Sequence, residues 1–279
     1  MIKLIIDSSA DCPSQYRDQV TTVSLTINFG EKEYIDQVNI TPTEFFELLK
    51  TEKEFPRTSQ VTPATFIEAF KKELDAGNQV VCLTIASSAS GTYQSAQIAK
   101  DELNSEDILL IDSNMLCMGQ SYLAIKILEW IKEGKSLAEI EALAKPYTQN
   151  IVQHLFSVDT LEYLKRGGRI TGAKAFVAEL LNIKPILTVI DGMTKPIAKV
   201  RGKKKIIPHF IKQMSEEMDR EKTDLIIIGH TVSPDFAAEF ETAIREELKW
   251  EKPIIIGEIG PTIGTHSGPG VLGVFYIKK

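Results

Sequence analysis

The chain has 279 residues, 43% of them apolar, and a formal net charge of −6. That size can bury a sizeable core in one or two domains, and the charge argues against broad binding to nucleic acid or anionic membrane while leaving room for a local basic patch. Cys12, Cys82 and Cys117 are odd in number and scattered, with no Cys-x-x-Cys pair, which argues against a disulfide framework or a zinc ribbon and suits a reducing cytosol.

In chain order, Lys3–Ile6 reads as a first strand, too short an apolar run for a secretory signal. It ends at Asp7-Ser8-Ser9-Ala10-Asp11, which an Asx-type turn explains. Val23–Phe29 reads as a strand. Thr41-Pro42 opens a helix through Leu49, Thr as N-cap and Pro at the first helical position. Pro56–Pro63 is a polar connector, and Thr62-Pro63 starts the next helix by the same logic. Capping leaves Thr58, Ser59 and Gln60 unexplained; a turn accounts for them, and they are also good donors to a carboxylate.

Val80–Ile85 is a buried strand and Gln94–Lys100 the body of a helix. Between them Ser87, Ser88, Ser90, Gly91 and Thr92 supply hydroxyls but no charge, at a strand's carboxyl end where α/β proteins bind ligands. The serines serve either as caps or as anion ligands beside free helix N–H groups. Ile108–Ile111, a helix from Met118 to Lys132 stopped by Gly134, and a helix from Ser136 complete a strand–helix alternation that predicts a largely parallel sheet. The domain boundary falls near Asn150.

Val152–Val158 leads to a short helix stopped by Gly167-Gly168. Lys174–Leu181 is a short apolar helix whose Phe176, Val177, Leu180 and Leu181 belong to a core or wall a pocket. Pro185–Ile190 and Thr194–Val200 flank Asp191-Gly192, a hairpin signal, so this half is not purely βαβ. A helix over Lys203–Met218, the strand Leu225–Ile228, a helix from Ser233-Pro234 and the strand Ile254–Ile259 follow. Gly260–Gly273 reads as a loop around His266, and Val274–Ile277 as the last strand. No apolar run reaches the length of a membrane span, so the expected location is the cytoplasm.

Several familiar signatures fail on context. Gly268-Pro-Gly270-Val-Leu-Gly273 precedes a strand and does not open a helix, so it is no dinucleotide fingerprint. There is no G-x-S-x-G elbow, and the four histidines lack metal-ligand spacing. His266, in a loop of glycines and hydroxyls, favours a functional role. Lys199, Arg201, Lys203, Lys204 and Lys205 gather where a helix begins, an unfavourable place for positive charge. They form a solvated run or a docking patch for an acidic or phosphate-bearing partner, with Arg169 adding to the same face.

Taken together, Asp7-Ser-Ser-Ala-Asp11, Thr58-Ser-Gln60, Ser87 to Tyr93, Leu164-Lys-Arg-Gly-Gly-Arg-Ile170 and Thr265-His-Ser-Gly-Pro-Gly270 resemble the DegV family in order and spacing, over essentially the whole chain. The resemblance implies a two-domain α/β protein, an N-terminal mostly parallel α/β sandwich over 1–150 and a C-terminal α/β domain with a mixed sheet over 151–279, holding one fatty acid between them. It implies the fatty-acid-binding subunit of bacterial fatty acid kinase, without catalysis or a cofactor of its own, and with at most transient membrane contact. Such a subunit presents the acyl carboxylate to a separate ATP-binding kinase subunit, which makes acyl phosphate for phospholipid synthesis. By the resemblance, Thr58 or Ser59 and Ser87 bond the carboxylate with help from the Ser88 N–H, and Thr265 and His266 lie near the head group. Arg169, Arg201 and Lys203 face the kinase, and Phe176, Val177, Leu180 and Leu181 line the tail. The chain departs from the family at Val61-Thr62, Ala86 and Ala89, and the two alanines bear on pocket width. The readings set against a lipid carrier are an acyl hydrolase or transferase using Ser87 with His266, and a regulator binding a phosphate ligand.

Overall fold

The alternation of apolar strand and capped helix begins at residue 2. The computed structural model describes residues 1–172 and 182–279. β1 (Ile2–Asp7) ends in a 3-10 turn over Ser8–Ala10, where the Asp7 carboxylate accepts the Ser9 N–H at 3.1 Å, the Asx geometry expected there. β2 (Thr21–Val23) pairs parallel with β1. The expected strand Val23–Phe29 is in fact divided, because β3 (Thr26–Phe29) belongs to another sheet. The Leu25 N–H goes to Ser8 Oγ at 3.1 Å and its carbonyl accepts the Asp36 N–H at 3.0 Å, so the chain leaves the first ladder at that point. β4 (Lys32–Ile35) flanks β3 antiparallel.

α1 (Pro42–Thr51) starts as its Thr-Pro pair predicts: Thr41 Oγ1 accepts the Glu44 N–H, and Glu44 closes a capping box. β5 (Arg57–Ser59) completes the small antiparallel sheet β4-β3-β5. It lies inside the expected connector, since three polar residues carry no apolar alternation to reveal a strand. α2 (Pro63–Asp75), β6 (Gln79–Thr84), α3 (Thr92–Leu103) and β7 (Ile108–Asp112) follow, giving an all-parallel sheet ordered β2-β1-β6-β7. α4 (Met118–Lys132) is buried continuously from Met118 to Ile125, the mark of a core helix. After α5 (Leu137–Pro146) the chain passes Asn150, at φ +68°, into β8 (Val152–Ser157).

α6 (Glu162–Gly167) closes at Gly168 in the left-handed region, as the Gly-Gly pair predicts. The expected helix carrying Phe176, Val177, Leu180 and Leu181 lies outside the described residues. β9 (Ile183–Ile190) and β10 (Met193–Arg201) form the expected hairpin, with Asp191 and Gly192 at φ +50° and +71°. Then come α7 (Ile206–Glu217), β11 (Ile226–His230), α8 (Pro234–Glu247), β12 (Ile254–Glu258), α9 (Pro261–Ser267) and β13 (Leu272–Ile277). The second sheet runs β10-β9-β8-β13-β11-β12, with only β11–β12 parallel, so it is mixed as expected.

α9 corrects the reading of Gly260–Gly273 as a loop: His266 sits on a helix. Gly264 obscures it by its low propensity, yet a Cβ there would lie 2.8 Å from Phe46 and 3.0 Å from Phe45, so the glycine lets α9 press onto α1. α4 is wedged between the two large sheets, and one apolar cluster joins Leu4, Ile6 and Leu83 through it to Ile227 and Phe275. Among the described residues, no helix is long and apolar enough to cross a membrane.

Gly119 on α4 makes that wedge possible. A Cβ on it would lie 1.9 Å from His154 Nε2, and the His154 ring is buried with Nδ1 bonded to the Val152 carbonyl at 3.1 Å. Gly119→Ala should lower stability by about 1–3 kcal/mol through overpacking. Urea denaturation checks this: the midpoint should fall with the slope unchanged.

Candidate functional site

An apolar cavity lies where the two halves of the chain meet. Leu25, Ile85, Leu116 and Cys117 line it from the first half, and Phe156, Val189, Ile259, Val271 and Phe275 from the second. It is partly open, and the atom-free space in and around it, open solvent included, is about 790 Å³.

One end of the cavity is polar, and three chain segments build it. β5 supplies Thr58, α9 supplies His266, and the turn after α6 supplies Arg169, with Ser90 nearby ahead of α3. Thr58 Oγ1 and His266 Nε2 are 2.9 Å apart. His266 Nδ1 is buried beside Gly167 without a partner among the described residues; a Cβ on Gly167 would lie 2.2 Å from it. Burial, and then the neighbouring Arg169 charge, push the imidazole down to about 4, so it is neutral at pH 7. A neutral ring has one donor and one acceptor nitrogen, and an orphaned N–H is rarer than an orphaned acceptor. We therefore assign the proton to Nε2, which donates to Thr58 and leaves the Thr58 hydroxyl hydrogen free to serve a ligand.

Arg169 is half-buried. Its Nε donates to the Ala89 carbonyl at 3.0 Å and a terminal N–H to the Gly167 carbonyl, and it makes no ion pair with a carboxylate among the described residues. Both contacts are to neutral oxygens, so nothing among the described residues compensates its charge at the cavity's polar end. Such a cation favours an anionic ligand head. A second, outer groove shares Thr58, Arg169 and His266 with the cavity, so this polar wall is reachable from both sides.

The expected site residues divide. Thr58 and His266 come together. Ser59 is exposed on β5, where its Oγ accepts from Asn28. Ser87 and Ser88 are exposed and do not line the cavity: the Ser87 N–H donates to Asp112, and the Ser88 hydroxyl to the Asp191 carbonyl at 2.9 Å across the hairpin tip. The serine of this loop that does reach the cavity is Ser90, whose Oγ lies 2.9 Å from Thr92 Oγ1. No local signal singles it out: the N-cap is Gly91, and Ser87, Ser88 and Ser90 are alike in type. Thr265 is buried, donates to the Pro261 carbonyl within α9, and borders the outer groove. Arg201 and Lys203 are exposed, the latter with its ammonium 4.3 Å from the Phe236 ring centre. Arg169 is bonded to Thr194 near the start of β10, so Arg201 lies at the strand's far end, roughly 20 Å away at about 3.3 Å per residue.

Fold and cavity together define a two-domain α/β protein built round an apolar chamber with one polar, cationic wall. The family model described as "Uncharacterised protein, DegV family" matches residues 1–279. A DegV domain-containing protein of Caldanaerobacter subterraneus subsp. tengcongensis is 37% identical over 281 residues, covering 100% of this chain and 99% of the relative. The solved structure of a DegV family protein from Thermus thermophilus, described by its fatty acid binding, is similar with a TM-score of 0.91 at 31% identity, covering 100% of this chain and 99% of that one. The structure of DegV from Bacillus subtilis, described as a fatty acid binding protein, gives 0.86 at 28% identity, with the same coverage. The chain belongs to the DegV family.

The neutral His266 has a measurable consequence. Its folded value of about 4 lies below the ordinary 6.5, so between those values the folded state binds fewer protons than the unfolded chain. The stability this group contributes is present above pH 6.5 and is lost as pH falls through 4. NMR titration of the His266 ring should show a midpoint near 4, and Arg169→Ala should raise it while leaving it below 6.5, because burial is the larger cause. A midpoint unchanged by that substitution would place Arg169 away from the ring.

Proposed function

We propose that the chain binds one long-chain fatty acid, tail in the apolar cavity and carboxylate against Arg169, Thr58 and His266. The observation that carries this reading is the half-buried Arg169 charge, without a carboxylate partner among the described residues, at the polar end of an otherwise apolar chamber. The relatives described as fatty-acid-binding support it. Burying a tail of about sixteen carbons contributes on the order of 11 kcal/mol gross at about 0.8 kcal/mol per methylene. Association and ordering offset a large share, so the tail sets most of the affinity and the head group sets orientation.

We further propose that the bound carboxylate is presented, through the outer groove, to a separate ATP-binding kinase subunit that forms acyl phosphate. The shared polar wall suits this, since the head group is reachable from outside while the tail stays buried. Thr58, Ser90 and a single arginine already engaged with carbonyls hold a carboxylate less rigidly than a bidentate clamp, leaving an oxygen for the incoming phosphoryl group. Arg201 and Lys203, exposed and distant from the cavity, are the docking residues of this reading. The hydrolase reading is not favoured: Ser87 is exposed outside the cavity, and His266 Nε2 is engaged by Thr58. We place the domain division near Asn150.

Palmitate titration tests the binding. Arg169→Ala should weaken it about 10- to 100-fold, the loss of a charged hydrogen-bonding partner; an unchanged affinity would remove Arg169 from the head-group site. Arg201→Ala should leave palmitate binding intact and lower acyl-phosphate formation with the kinase subunit. Full acyl-phosphate formation by that variant would reject the docking role.

A further inference from the structure

His266 is useful only if α9 holds it against Thr58, and α9 has turning points at both ends. Gly260 precedes it, and Gly268 and Gly270 follow at φ +75° and +77°. The polar anchors of its first turn come from the other half of the chain. The Gly260 N–H donates to Asp11 Oδ1 at 2.9 Å. The Thr262 hydroxyl donates to Asp36 Oδ2 at 2.5 Å, and the same oxygen accepts the Ser8 hydroxyl at 2.8 Å. Ser8 Oγ in turn accepts the Leu25 N–H, so Asp36 links β3's approach, the first turn after β1 and α9.

Asp36 is fully buried, and its observed side-chain donors are neutral hydroxyls. Asp7 and Asp11 are the neighbouring carboxylates, and Arg17 is the cation facing Asp11. A carboxylate buried among neutral donors is costly, and apolar filling of the same space would be cheaper. Its return is directional: the Ser8 and Thr262 hydroxyls converge on Oδ2, while Oδ1 is buried without a partner among the described residues, so its hold on α9 runs through Oδ2. Thr262 and His266 are four residues apart, one above the other on the same helix face. Fixing Thr262 therefore fixes the rotation and height of the imidazole.

We propose that Asp36 is a positioning residue, setting His266 against Thr58 through Thr262. Asp36 does not line the cavity, so it acts on a ligand only through α9. The proposal rests on the fatty-acid reading for its functional consequence, but the placement of His266 can be read without any ligand.

The test uses the full-length chain with Asp36→Ala, Asp36→Asn, His266→Ala and the double variant Asp36→Ala/His266→Ala. Palmitate affinity and the NMR titration of His266 in ligand-free protein are measured. Asp36→Ala should weaken palmitate about tenfold or more and move the His266 midpoint from about 4 toward the ordinary 6.5 as the ring leaves its enclosed place. Asp36→Asn should restore both, because its amide oxygen can occupy the Oδ2 position and accept both hydroxyls. In the His266→Ala background, Asp36→Ala should cost less than about twofold more, since a residue acting through another is not additive with it. Additive losses, or a His266 titration indifferent to Asp36→Ala, overturn the proposal. If Asp36→Ala does not fold, Thr262→Ala compared with Thr262→Ser isolates the same hydroxyl, and equal His266 titrations in those two variants overturn it. Wild-type protein that binds no palmitate, with His266 still following Asp36, would reject the fatty-acid reading and leave the positioning role standing.

Discussion

The architecture depends on one polar seam, where the first turn of α9 is hydrogen-bonded by carboxylates of the N-terminal half. Asp11 takes the Gly260 N–H and Asp36 takes the Thr262 hydroxyl, both inside the protein. Burial pushes both carboxyls up, Asp36 to about 6 and Asp11 well above its ordinary value, with the Asp36 charge adding to the rise at Asp11. A third buried carboxylate, Asp7, ties the end of β1 to the Ile85 N–H at 2.6 Å and to Gln120 of α4 at 3.1 Å. The Asp7-Ser-Ser-Ala-Asp11 stretch is thus a junction through which both sheets and α9 are registered. α9 would otherwise leave the cavity open along one wall, since its Thr262, Ile263, His266 and Ser267 all line it.

With the wall in place, the electrostatics of the chamber follow. Neutral side chains surround the chamber, a neutral imidazole and a hydroxyl mark its end, and one arginine supplies the only uncompensated charge among the described residues lining it. The low-dielectric surroundings strengthen that single charge and also hold His266 neutral, so the two effects share a cause. The outer groove meets the chamber at the same three residues, Thr58, Arg169 and His266. A head group held there is buried on its tail side and accessible on the other, a geometry suited to a ligand that is to be modified without being released.

Much of this was legible in the sequence where one residue type has one strong local preference. The Thr-Pro starts of α1 and α2, the Gly167-Gly168 stop of α6, the Asp191-Gly192 turn and the apolar strands of the parallel sheet follow from capping, turn and periodicity rules. The small sheet β4-β3-β5 was hidden because β5 is three polar residues held by tertiary contacts. α9 was hidden because Gly264 reads as a loop former until Phe45 and Phe46 are known to lie beneath it. At the site, residue type was readable and direction was not. Ser87, Ser88 and Ser90 look alike in a row, and only the fold turns Ser90 inward and the other two to solvent. Arg169 read as surface charge because nothing local reveals that its guanidinium folds back onto the Ala89 carbonyl.

The most direct measurement is the mass spectrometry of lipid extracted from denatured purified protein. The account predicts about one long-chain fatty acid per chain, recovered as the free acid, because Arg169 selects an anionic head and the chamber a long tail. Recovery of no lipid, together with no uptake of added fatty acid, or of neutral lipid alone, would contradict it.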